Sequence, residues 1–173
     1  AEGLTRKLDV PSETGRQLLR HHHSCYPDFW RWSQDNVSQA LLRQEIQTVM
    51  GWKMKVPPRR DADNGPNPRS LANFPMQANA SEILRIAIVE VVSRGIEVCA
   101  PVHDALLIEA DLEDIEDAVA ITVECMSEAA QYVLDGFRLN CDVDVIRWPD
   151  RYYDKRGAAM WETIMKLLPE PVS

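Results

Sequence analysis

Residues 96–110, IEVCAPVHDALLIEA, admit few local structures. Ile96, Val98 and Ala100 alternate with other residues before the polar pair His103-Asp104, and Leu106 and Ile108 alternate after it. This period of two, with Pro101 inside the first half, predicts two half-buried strands joined by a tight turn, because a helix interior tolerates proline poorly. The turn then carries an imidazole and a carboxylate at the tip of a stiff hairpin. A carboxylate held there suits a hard divalent cation, which needs fixed oxygen ligands. On these residues alone, an ordinary Asp turn with a neighbouring His is the favoured reading.

The chain has 173 residues, 45% hydrophobic and 27% charged, which predicts one globular domain with a sizeable core. Cys25, Cys99, Cys125 and Cys141 form no CxxC pair. Neither a zinc knuckle nor a disulfide framework is indicated, and they read as reduced core thiols. There is no apolar run of membrane-spanning length and no signal-peptide pattern, so the expectation is a soluble, cytoplasmic chain with no membrane partner. The net charge of −8 argues against a free-standing nucleic-acid-binding module. The opening residues, Ala1 followed by the helical pattern EGLTRKL, read as a start inside a longer protein.

Leu4 and Leu8 give residues 2–8 one apolar face, and Val10-Pro11-Ser12 breaks that short helix. Ser12 is the expected N-cap of a helix to about Cys25, and 28–43 has helical spacing again. His21, His22 and His23 are consecutive, so about 100° separates each from the next and they cannot all face one ion; a solvated cluster is the expectation. Residues 45–56 alternate on both sides of Gly51 and predict a hairpin. Residues 57–68, PPRRDADNGPNP, read as an exposed loop. Lys53, Lys55, Arg59, Arg60 and Arg69 make this the one local basic cluster of an acidic chain.

Residues 76–94 carry the strongest helical stripe, from Ala80 through Leu84, Ala87, Ile88 and Val91, with Gly95 as its stop. After the central hairpin, Asp111 is the expected cap of a helix to about Val133. Its early acids Glu113, Asp114, Glu116 and Asp117 suit the helix dipole rather than a metal. Residues 139–146 alternate cleanly and predict a third strand beside the hairpin, with Asp142 and Asp144 on its outer face, solvated or approaching the turn. Residues 157–168 predict a helix with Met160, Trp161, Ile164 and Leu168 on its apolar side.

These elements predict an α+β fold: an antiparallel sheet, hairpin plus third strand, packed against long helices, with an N-terminal helical segment. A sheet with a carboxylate at a hairpin tip is a reasonable palm for nucleotidyl transfer, which needs two divalent cations about 3.5–4 Å apart. One aspartate cannot hold both.

The run Arg69-Ser70-Leu71-Ala72-Asn73-Phe74-Pro75-Met76-Gln77, the apolar helix after it and then Val102-His103-Asp104 resemble, in order, the carboxy-terminal part of the palm of family A DNA polymerases. Upstream, HHHSCYPDFWRW and the Gly51 hairpin resemble the segment after that family's nucleotide-binding helix. The resemblance covers nearly the whole chain and is weakest after Arg147. It implies a single partial polymerase domain over 1–173, with a helical fingers-proximal segment at 1–44 and a palm portion at 45–173. It implies Asp104 as the metal-binding aspartate of the family's third motif, with His103 contacting the primer end. Arg69, Asn73 and Gln77 match positions that touch primer and template. Asn and Gln can meet the minor-groove acceptors that all base pairs share. Lys53, Lys55, Arg59 and Arg60 would face phosphates.

The implied cofactor is Mg2+, in a two-metal site completed by residues outside this chain. The implied partners are primer–template DNA, deoxynucleoside triphosphates and the rest of the polymerase chain, with homo-oligomers open to a fragment that leaves apolar surface uncovered. Ala105 stands where the family has Glu, and the family's first motif and nucleotide-binding helix are absent, so the fragment alone is expected to be inactive. Pro75 is expected to confine the helical part of the Arg69–Gln77 row to Asn73 onward. Two further readings stay open: a non-catalytic palm-like module that binds DNA or protein, and a metal-dependent nuclease using Asp104 with Asp142 or Asp144.

Overall fold

The computed structural model describes residues 2–58 and 67–168. Helices α1 (Glu2–Leu8), α2 (Ser12–Cys25) and α3 (Pro27–Arg43) come first, then strands β1 (Glu45–Gln47) and β2 (Lys53–Lys55). Helix α4 (Pro68–Ser93) leads to β3 (Glu97–Val102) and β4 (Ala105–Glu109), followed by α5 (Ile115–Val133) and α6 (Ala158–Leu167). The two expected hairpins and helices α1, α2, α3 and α6 form close to their expected bounds. Pro11 rather than Ser12 occupies the N-cap of α2, and no side chain caps that end. Arg59 and Arg60 lie outside the described residues.

Helix α4 starts eight residues before the expected Met76, at Pro68. Asn67 caps it, its Oδ1 accepting from the Arg69 N–H at 2.9 Å, and Pro68 occupies the first turn with its φ already helical. Pro75 lies inside the helix and is buried. An interior proline costs about 3 kcal/mol. The cap and the burial of Leu71 and Ala78 on the same stripe oppose that cost, so the helix runs through. At the other end Gly95 takes φ +81°, a conformation that favours glycine, and its N–H donates to the Val92 carbonyl at 3.0 Å.

Two packing centres hold these elements. Ala40 of α3, Ile46 of β1, Val56 and Leu71 of α4 form one, with Val37, Met54 and Phe74 against them. The other lies between α4 and α5, where Ala87, Val91, Cys125, Ala129 and Ala130 are buried. Small side chains let these helices approach closely, and burying Val91 contributes about 1.5–3 kcal/mol. Among the four cysteines expected in the core, only Cys125 is buried; Cys25 and Cys99 are exposed and Cys141 is intermediate. The histidine run is exposed, yet it ties α2 to α3: His23 stacks on Trp30 at 3.7 Å, and Trp30 Nε1 donates to His22 Nδ1 at 3.0 Å.

Among the described residues the strands pair as two antiparallel ladders, β1–β2 and β3–β4, and residues 139–146 form no third strand. That segment runs back along α5 instead. Arg138 pairs with Glu124, the Ser127 hydroxyl donates to the Leu139 carbonyl at 3.1 Å, and Arg147 pairs with Glu116. Alternation prepares a segment for a ladder, but an adjacent free edge must also be present, and the β3–β4 hairpin lies across a cleft from it. Helix α5 also starts one turn after the expected Asp111, which instead accepts the Asp114 N–H at 3.0 Å in a preceding turn. Beyond Arg147, α6 buries none of its residues, and Trp148, Tyr152, Tyr153 and Trp161 are exposed.

Candidate active site

The β3–β4 ladder pairs Val102 with Ala105 and leaves His103-Asp104 as its two-residue turn. His103 has φ +59°, in the left-handed region that costs an L-residue roughly 1–2 kcal/mol. The ladder fixes the turn from both sides and so holds that conformation. Both side chains project into solvent, 86% exposed for His103 and 87% for Asp104, and His103 Nδ1 lies 3.2 Å from Asp104 Oδ1. A bulge between Val98 and Ala100 sets Cys99 outside the ladder. The Cys99 thiol sits 3.7 Å from Glu109 Oε2, and partial desolvation, then the charge of Glu109, pushes it above the usual thiol range.

The tip stands at a cleft of about 590 Å³ between α4, the hairpin, α5 and residues 139–144. Leu84, Leu106, Ile108, Val123 and Met126 give it an apolar wall, while Gln77, His103, Asp104, Asp142 and Asp144 supply polar groups. The fold therefore places Gln77 and Asp104 on one cleft. It also brings Asp142 and Asp144 to the same cleft.

Arg69 and Asn73 do not line the cleft; they precede Gln77 on α4 at successive four-residue steps, and all three are exposed. Since α4 is already helical at Arg69, each step turns only about 40° and rises about 6 Å, so the three share one face over roughly 12 Å. None of their side chains has a hydrogen-bond partner among the described residues. Lys53 and Lys55 point to the exposed face of β2, and Lys53 Nζ pairs with Glu45 Oε1 at 3.1 Å.

Asp104 suits one carboxylate position of a metal site, being exposed, at a fixed turn and bonded only to His103 among the described residues. It does not form a cage: among the described residues no group of three or more His, Cys, Asp or Glu could hold an ion.

Sequence reasoning missed Thr48, Asn79 and Glu82, which join the β1–β2 turn to α4. The Glu82 carboxylate accepts from the Thr48 hydroxyl at 2.8 Å and from the Met50 N–H at 3.2 Å, and Asn79 Oδ1 accepts from the Val49 N–H at 3.0 Å. A signal was present, because Glu82 continues the buried stripe Leu71, Pro75, Ala78, where an acid is out of place.

The profile of DNA polymerase family A matches residues 1–147. Curated relatives include DNA polymerase I B, mitochondrial, of Oryza sativa, 27% identical over 74% of this chain and 13% of that protein. The thermostable DNA polymerase I of Thermus thermophilus is 25% identical over 75% of this chain and 16% of its own length. DNA polymerase I of Rhizobium leguminosarum is 22% identical over 94% of this chain and 16% of its own length. The chain thus spans about 13–16% of the relatives it matches. Among solved structures, the POL domain of Pol1 from M. smegmatis, in complex with DNA primer-template and dNTP, superposes with a TM-score of 0.62 at 21% identity, over 73% of this chain and 24% of that one. That likeness is one of fold.

Proposed function

The chain belongs to DNA polymerase family A, and from that premise we propose that it supplies the primer-facing part of a DNA-directed DNA polymerase. The reaction would be template-directed nucleotidyl transfer from a deoxynucleoside triphosphate to a primer end, in DNA replication or repair. The observation that supports this most is the exposed Asp104 at a rigid turn, in one cleft with Gln77.

In this reading the whole chain is one partial polymerase domain, with 1–44 next to the fingers and 45–173 in the palm. Asp104 contributes carboxylate oxygens to Mg2+, and His103 meets the primer end. Arg69, Asn73 and Gln77 lie along the duplex, the two amides toward minor-groove acceptors shared by every base pair. Lys53 and Lys55, with Arg59 and Arg60, meet phosphates. When bound, the divalent ions supply an activated attacking oxygen and charge neutralisation at the reacting phosphate. The remaining carboxylate ligands come from the rest of the polymerase chain.

Primer extension tests this reading. The chain alone should extend no primer, yet should bind primer–template DNA, and Gln77→Ala should weaken that binding. Robust magnesium-dependent synthesis by the chain alone, lost in Asp104→Ala, would overturn its incompleteness; no binding of primer–template would overturn the palm reading. A nuclease reading draws on Asp142 and Asp144 lining the cleft with Asp104. It requires magnesium-dependent strand cleavage, and intact DNA after long incubation rejects it.

A further inference from the structure

Glu82 is 4% exposed, and both oxygens of its carboxylate are used by the turn of the β1–β2 hairpin. Oε1 accepts from the Thr48 hydroxyl at 2.8 Å, and Oε2 accepts from the Met50 N–H at 3.2 Å. Thr48 Oγ1 in turn accepts from the Trp52 N–H at 2.9 Å, and Asn79 takes the Val49 N–H at 3.0 Å. Asn79 is itself held, its Nδ2 donating to the Pro75 carbonyl at 2.7 Å. Side chains thus satisfy the Val49, Met50 and Trp52 N–H donors of this turn, and two of those side chains belong to α4.

No cation pairs with Glu82 among the described residues. A buried carboxylate is a costly way to hold a helix to a hairpin when an apolar residue would pack there. What it adds is a fixed geometry, since directional bonds to an O–H and an N–H set one position for the turn. The open end of the hairpin is held separately, by Ile46 and Val56 against Leu71, and Trp52 and Phe74 meet between the two ends at 5.9 Å.

We infer that Glu82 is a positioning residue for DNA binding: with Thr48 and Asn79 it locks the β1–β2 hairpin onto α4, fixing Lys53 and Lys55 relative to the Arg69, Asn73 and Gln77 row. This rests on the reading of both groups as duplex contacts. Phosphate and base-edge contacts on one rigid duplex add only if their spacing is held to about 0.5 Å. Without the clamp the hairpin pivots about its apolar end, and the lysines lose their register with the amides.

The test measures the affinity of the chain for a primer–template duplex across a salt series, below the unfolding temperature of each variant. Glu82→Ala and Thr48→Val should weaken binding about tenfold. They should also flatten the salt dependence by about one counterion, because a phosphate contact is lost. Thr48→Ser, which keeps the hydroxyl, should restore both. A residue that matters only for folding would lower the melting temperature and leave the salt slope alone. Parental affinity and slope in both variants would overturn the proposal. Should Glu82→Ala fail to fold, the Thr48→Val and Thr48→Ser pair decides. If the parent binds no duplex, the polymerase reading fails instead; exchange of the Val49 and Met50 amides, faster in Thr48→Val if the clamp holds the turn and unchanged if it does not, then judges the clamp by itself.

Discussion

Gln77 and Asp104 line one cleft although the whole second half of α4 and all of β3 separate them in sequence. The chain turns back at Gly95, and β3 returns beside the helix it has just left. The amide on the helix and the carboxylate on the turn are thereby fixed by two rigid elements rather than by a loop.

Asp104→Asn should abolish primer extension by the complete polymerase, by about two to three orders of magnitude, a size expected when a group that stabilises transition-state charge is removed. Its side chain is 87% exposed, so stability should change by no more than about 0.5 kcal/mol. Single-turnover rates beside a denaturant melt check both. An unfolded variant, or one with full activity, would count against the assigned role.

His103→Gly should stabilise the chain by about 1 kcal/mol, since glycine accepts the φ of +59° without strain. The same change should weaken use of a primer end. The two effects have opposite signs, and urea unfolding with extension assays separates them. A destabilised His103→Gly would mean that the ring contributes packing that its exposure does not suggest.

Val91→Ala removes two methyl groups from the fully buried α4–α5 contact. A loss of about 1–3 kcal/mol is expected from burial plus the cavity left. It should shift the denaturation midpoint without altering duplex contacts, because Val91 lies far along α4 from the Arg69–Gln77 row.

Cys99 should alkylate slowly at mild pH despite its exposure. Desolvation and the neighbouring charge of Glu109 raise its thiol, so less thiolate is present at a given pH, and the thiolate is the reacting form. The rate should reach half its plateau above the ordinary thiol range, and Glu109→Gln should move that point down. Mass-resolved iodoacetamide labelling of Cys99 reads it, and a profile indifferent to Glu109→Gln would contradict the cause given.

Local chemistry made much of this fold legible. Pro101 and the alternation around His103-Asp104 dictate the hairpin, and the stripe through Ala87 and Val91 dictates the helix behind it. Where signals conflicted, the nearer one misled. Pro75 read as a helix boundary, while the stronger start at Asn67-Pro68 lay inside a Pro- and Asn-rich stretch that looked like loop. Residues 139–146 showed strand alternation, but a pattern cannot name the partner a ladder needs. Glu82 went unseen for a different reason: only the fold discloses that a helix position is covered, and by which turn.

Among the described residues, the Arg147–Glu116 pair is the last side-chain bond from the C-terminal stretch back to α5. After it come Trp148, Tyr152, Tyr153 and the uncovered apolar side of α6. These side chains give the stretch an uncovered aromatic and apolar surface. Ending the chain after Arg147 would remove that surface while sparing both ladders and the opening where Asp104 stands.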